Sequence, residues 1–260
     1  MPAAALKVFQ TDMARARALL AHAAAMTPSD SNAELLRDDV LRSAWMFGVG
    51  AMDTYFCDAY ADLLAGTLIC KSNHPSTALP SFLDTIKIPI KAVLEEYPER
   101  DNWKWRMAIR AMMETENALN LDAFRSRLNK FIRSGRLLYH EILATWVAQP
   151  GAPYRLFRVS AADIATAMSK GTLDSLKIRL NVSFMRRIES IIQRRHDCIH
   201  TCDRPNNKPQ PIGGDGTVKG VLDDIEYVVT KTEDHLANEF SFWLRSTLKF
   251  PAAIAARVGY

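Results

Sequence analysis

The chain has 260 residues, 48% hydrophobic and 24% charged, with 33 basic against 29 acidic side chains and a formal net charge of +4. That is ordinary for a soluble globular protein of one large or two small domains, and the mild positive balance is compatible with a nucleic-acid partner without demanding one. Four unevenly placed cysteines, Cys57, Cys70, Cys198 and Cys202, argue against a disulfide framework, and no apolar run reaches the roughly 18 residues that span a bilayer.

Alternating strand patterns are nearly absent and helical spacing is everywhere, which predicts an all-α fold. A first helix covers roughly 4 to 25; its Ala- and Arg-rich start has the content of a transit peptide, but it contains Asp12 and reads better as a helix of a cytoplasmic protein. After "TPSDS" a second helix opens with Ser31 as N-cap and Glu34 three residues on, and runs through residue 68. Pro75 and Pro80 then forbid continuation. The middle block, 82–148, predicts two or three helices interrupted near Pro89, Pro98 and Asn120. Ser160 to Asp163 starts a short helix, and residues 171–200 form a long one. The Pro- and Gly-rich segment 202–217 is a surface loop, and a last helix covers about 217 to 247. Short connectors favour an up-and-down helical bundle. Residues 1–30 are expected to supply a helix packed on a domain of 31–260, which carries additional helices at about 80–150.

The long helix raises a physical question. Wound at 3.6 residues per turn, Ile188, Ile191, Ile192 and Ile199 share one side that should be buried, and Arg195 falls in its middle, roughly 20° from Ile188. Arginine is almost never fully buried unless paired. The second helix carries an apolar stripe of Trp45, Val49, Met52, Phe56 and Tyr60, with Asp53 inside it, about 40° from Val49, and Asp58 and Asp62 turned outward. An acid in one buried face and an arginine in another would offset much of each other's desolvation, so Asp53 is expected to approach Arg195. Failing that, one or both lie at a stripe edge and snorkel to water. His196 and His200, one turn apart, flank the stripe on the side of Asp203, while Arg194 and Asp197 point away.

A guanidinium beside two imidazoles suits phosphate chemistry without a metal, since arginine presents a planar fork to phosphate oxygens and histidine exchanges protons near neutral pH. The stretch "RRHDCIH" resembles the signature of the HEPN superfamily: an arginine, about four to six residues and a histidine, often with Asn, His or Asp directly after the arginine. Arg195, His196 and His200 fit that pattern. The surroundings are most similar to the RiboL-PSP type of HEPN domain, with Arg194, Arg195, Ile199, His200 and Asp203 matching its paired arginines, apolar–His step and following Asp. Asp53, within "GAMDTYFCDAYADLL", is similar to the family's acid in an earlier helix. The resemblance covers roughly 35 to 247 and leaves the middle block unassigned.

That resemblance implies an HEPN-like helical bundle and a metal-independent endoribonuclease, with no cofactor. It also implies a homodimer whose two motifs meet in a composite cleft, and a toxin–antitoxin, abortive-infection or other anti-phage role, with an antitoxin or sensor protein as a further partner. The ribose 2′-OH would attack its own 3′-phosphate, His200 would move protons, Arg195 would neutralise charge on the phosphorane, and His196 would orient either group. Asp53 and Asp203 would support the motif.

Two other readings compete. His196 with His200, and Cys198 with Cys202, have metal-ligand spacing on a helix, but the pairs point roughly 160° apart and no further cluster supplies ligands. A catalytically silent module of the same family, binding RNA, nucleotide or protein, is the stronger rival. The basic residues Lys177, Arg179, Arg186, Arg187 and Arg194, with Arg125, Arg127, Lys130, Arg133 and Arg136 in "RSRLNKFIRSGR", read either as solvated faces or as an RNA track. Trp103, Trp105 and Trp243 read as core anchors rather than base-stacking platforms.

Overall fold

The structure, a computed structural model, describes residues 4–88, 90–94, 103–114, 120–133, 135–204 and 210–258. Among these residues there is no strand, and the fold is all-α. Helix α1 (Ala4–Ala25) and helix α2 (Ser31–Asn73) open the chain. The cap of α2 is Asp30 rather than Ser31: its Oδ1 accepts from the Asn32 and Ala33 amides at 2.9 Å each, the acceptor geometry a serine one position later would have offered. After α2 ends ahead of Pro75, a 3₁₀ turn (Ser81–Thr85) leads to α3 (Ile90–Leu94), α4 (Trp103–Glu114) and α5 (Leu121–Leu128). Asn120 caps α5 by accepting from the Asp122 and Ala123 amides. The breaks expected at Pro89 and Pro98, and the tip of the Pro-rich loop at 205–209, lie outside the described residues. The second half holds α6 (His140–Val147), α7 (Tyr154–Phe157), α8 (Ala161–Ser169), α9 (Leu173–Thr201), α10 (Gly214–Phe242) and α11 (Ala252–Ala255). A capping box between Ser160 and Asp163 starts α8, as the spacing predicts.

The chain divides into two compact units, residues 1–8 with 53–137 and 232–260, and residues 9–52 with 138–231. In the second unit α6, α7 and α8 all pack on α9. The apolar face they cover is Leu176, Leu180, Phe184, Ile188 and Ile191, spaced by fours and a three. Phe157 stacks on Phe184 at 5.9 Å between centroids, and Tyr227 of α10 meets Phe157 edge-on. The Tyr227 hydroxyl donates to the Trp146 carbonyl at 3.1 Å, and burial pushes its pKa up to about 12. A Cβ on Gly48 would meet the end of the Leu222 side chain, so any larger residue there would require that side chain to shift where α2 and α10 pass close.

Asp224 of α10 is fully buried in this unit, 2.8 Å from Arg155 Nε and 2.9 Å from Arg187 Nε. Burial raises its pKa, and the two guanidiniums oppose that rise.

In the first unit an aromatic cluster surrounds the buried Phe131. Tyr60, Phe82, Phe240 and Trp243 place their rings at 5.3 to 6.5 Å from it, mostly edge-on. Trp243 is thus a core anchor, as expected. Asp58 and Asp62, read from the wheel as outward-facing, are instead turned inward. Asp58 has no exposed surface and lies 3.3 Å from Arg106 and 3.5 Å from Arg110 of α4, while Asp62 bonds Arg106. The reason is that α2 is enclosed nearly all round between residues 51 and 67, so this stretch has no outer side for an acid to occupy. Arg125, expected in a solvated or RNA-facing run, is buried and bonds Asp122 at 3.0 Å.

Removing Asp224 leaves two guanidiniums facing a low-dielectric gap. Asp224→Ala is expected to lower the unfolding free energy by about 3 kcal/mol, read from the urea midpoint at constant slope.

Candidate functional site

The wheel drawn from the sequence centres the apolar side of α9 on Ile188, but Ile199 is half-exposed and Ile192 only partly covered. The five buried residues shift that centre by roughly 60° toward Arg194. Arg194 and Arg195 therefore stand on opposite shoulders of the stripe. Contrary to expectation, it is Arg194 that turns inward.

Its partner is Asp203, 1% exposed. Asp203 Oδ2 accepts from Arg194 Nη2 and from Arg42 Nε, each at 2.6 Å. Both arginines also donate to the Gln210 carbonyl at 3.1 Å, and Arg194 Nη1 reaches the Gln210 side-chain oxygen at 2.5 Å. Asp203 reaches this position because α9 stops at Thr201 and the next two residues adopt left-handed conformations, Cys202 at φ 49° and Asp203 at φ 58°. Such backbone costs roughly 1–2 kcal/mol per residue, and the ion pairs hold it in place. The Asp197 carbonyl stitches the turn, accepting from the Cys202 amide, the Asp203 amide at 3.0 Å and the Thr201 hydroxyl at 2.7 Å.

Arg42 was not singled out by the sequence reading, yet a signal existed. It lies three residues before Trp45 and seven before Val49, on the same stripe of α2. Trp45 completes the junction by donating from Nε1 to the Ile191 carbonyl at 3.0 Å.

Above this pinned end, His196 and His200 are exposed, with ring centroids 4.3 Å apart and planes tilted 42°. No hydrogen bond joins the two rings, so a proton would pass between them through water. Arg195 is half-buried and makes no ion pair or side-chain hydrogen bond with a described residue of its own unit. Asp53, its expected partner, is half-buried and belongs to the other unit, so their approach stays an expectation. Burial, then the charges of Asp53 and Asp58, push the Cys57 thiol up to about 12, which makes it a poor nucleophile. Cys198 lies on the Arg194 side of α9, and burial followed by the Asp203 charge raises its pKa. Among the described residues no three of His, Cys, Asp and Glu gather as a metal site would need.

The expected RNA-facing cations separate into two groups. Arg194 is held by Asp203, Arg187 by Asp224, and Lys177 reaches Asp174 at 3.4 Å. Arg179 and Arg186 are exposed and in no ion pair among the described residues. A second apolar line runs along the outer side of α9. Ile178 and Val182 are exposed, Met185 and Ile192 half-buried and Ile199 exposed, at spacings of four, three, seven and seven, with Glu189 and His196 filling the two longer steps.

Comparison with family models, with curated proteins and with solved structures finds no match to this chain. Among the described residues no helix is long and apolar enough to cross a membrane.

The geometry makes Asp203 the support of the histidine-bearing turn. Asp203→Ala is expected to cost about 3 kcal/mol, and to raise amide hydrogen exchange at 197–203 well before that of Phe184 or Ile188. Equal acceleration along all of α9 would show that Asp203 supports the helix generally rather than its end.

Proposed function

We propose that this chain is a metal-independent endoribonuclease of HEPN type that works as a homodimer. The observation that carries the reading is the pair of exposed imidazoles, His196 and His200, on a helix end fixed by buried ion pairs and followed around the helix by Arg195. In the reaction the ribose 2′-oxygen attacks its own 3′-phosphorus, the bond from phosphorus to the 5′-oxygen breaks, and the products are a 2′,3′-cyclic phosphate and a 5′-OH. His200 takes the 2′-hydroxyl proton, and an imidazolium returns a proton to the leaving 5′-oxygen. The pair His196–His200 can relay that proton. Arg195 supplies a fixed positive charge to the phosphorane oxygens. DNA lacks the attacking hydroxyl and is not a substrate.

Within one chain Arg195 and His200 diverge by about 140° around the helix axis. A second copy lying on the outer line of α9 would bring its own motif alongside and close the cleft, which gives the exposed Ile178, Val182 and Ile199 a partner. RNA cleavage under such control suits a toxin or anti-phage role in the cytoplasm, with an antitoxin or sensor protein as restraint. The same divergence favours, as the second reading, a catalytically silent module that binds RNA, nucleotide or protein.

With EDTA present, wild-type protein should cut labelled RNA and leave DNA intact. Arg195→Ala and His200→Ala should each lose about 10²- to 10⁴-fold in rate. RNA retained by the wild type without cleavage would favour the silent module, and equal cutting by the variants would indicate a contaminant. Ile178→Glu combined with Val182→Glu should halve the mass seen by light scattering and remove cleavage with it. An active monomer would refute the composite cleft.

A further inference from the structure

Where α8 hands over to α9, the second unit has a concavity of about 480 Å³. Lys170 and Arg179 stand at its margins with the hydroxyls of Thr166, Thr172 and Ser175, and Ala167 and Leu176 form part of its lining. Both cations are exposed and neither is in an ion pair among the described residues. The acid in the lining, Asp163, has its carboxylate bound by the Ser160 amide and hydroxyl at 2.8 Å each. Two cations in no ion pair, one of them within reach of the Asp163 charge, three hydroxyls and a small apolar floor form a surface that complements a phosphodiester with its ribose.

The position of this concavity gives it a use. Arg179, Arg186, Gln193 and His200 recur every seven residues and so share one line along α9. From Arg179 to His200 that line is about 31 Å long at 1.5 Å per residue. A stacked strand advancing about 3.4 Å per nucleotide would cover it with about nine nucleotides. Arg187 and Arg194, facing elsewhere, are already neutralised by Asp224 and Asp203.

We propose that the concavity at the α8–α9 junction is a phosphate subsite for single-stranded RNA, holding the backbone about nine nucleotides from the bond cut at the histidines. This rests on the ribonuclease reading above and adds a length requirement to it. A strand too short to reach Lys170 and Arg179 binds only at the histidine end, whereas a longer one gains two further charge contacts.

The test is fluorescence anisotropy with 2′-O-methylated RNA of fifteen and of four nucleotides, which lacks the attacking hydroxyl and stays intact. Lys170→Ala with Arg179→Ala should weaken binding of the long strand about tenfold and lower the slope of log affinity against log salt by about 1.4. The four-nucleotide strand should bind as to the wild type, and Arg257→Ala should change neither. Circular dichroism of the double variant should match the wild type, since both side chains are exposed. Unchanged binding of the long strand, or equal weakening of both strands, would overturn the subsite while wild-type cleavage of RNA still upheld the nuclease. No binding of either strand and no cleavage by the wild type would overturn both.

Discussion

A carboxylate enclosed by protein and shared between two arginines is the interaction on which this structure turns. Asp203 lies between Arg42 and Arg194, Asp224 between Arg155 and Arg187, and Asp58 between Arg106 and Arg110. A lone buried carboxylate would be driven toward its neutral form, and a lone buried guanidinium cannot be neutralised at all. At each junction a second, more exposed acid balances the second guanidinium: Asp39 beside Arg42, Asp223 beside Arg155 and Asp62 beside Arg106. Each junction ties elements distant in sequence, and each does so through directional bonds rather than shape alone. Apolar packing fixes the helices by shape, and an ion pair at 2.6 Å adds a directional constraint to it.

For the candidate site, this means that the two histidines owe their position to buried residues around the turn rather than to one another. Asp203 is drawn inward only because Cys202 and Asp203 accept left-handed backbone, and that backbone is held only because Arg42 and Arg194 grip the carboxylate. The same junctions sort the positive charge of α9. Arg187 and Arg194 are held by Asp224 and Asp203, whereas Arg179 and Arg186 are exposed and in no ion pair among the described residues. A net charge of +4 conceals that division. What matters for an anionic partner is which cations lack an internal acid.

Much of the fold was legible because helical spacing and caps are local. The bounds of α1, the breaker prolines after α2, the Asn120 boundary and the Ser160–Asp163 capping box all follow from residues within a turn of one another. The site was legible in its membership and not in its wiring. A helical wheel places Arg195 at the centre of the apolar side only while Ile192 and Ile199 count as buried. They belong to the outer line, and removing them moves the centre of the inner face toward Arg194. Asp203 was invisible as a buried acid because a helical wheel ends where the helix does, and the left-handed turn at 202–203 leaves no periodic trace. Asp58 and Asp62 escaped for the opposite reason, since a wheel assigns an outer side even to a helix enclosed all round.

The outer side of α9 then explains why this helix is 29 residues long. Its covered face needs only the span from Leu176 to Ile191, which α6, α7 and α8 pack against. The remaining turns carry Arg194 to its junction with Asp203 and expose the two histidines, and along the whole length two further lines run side by side. One is apolar, through Ile178, Val182 and Ile199; the other is cationic, through Arg179 and Arg186 to His200. They lie roughly 80° apart on the wheel, so a second copy resting on the first leaves the other open to a strand. A helix ending at Ile191 would keep Ile178, Val182, Arg179 and Arg186 and would lose Ile199, both histidines and the Arg194–Asp203 junction. The last ten residues of α9 thus serve stability through Arg194 and, on the side turned away from it, present two imidazoles that packing does not account for.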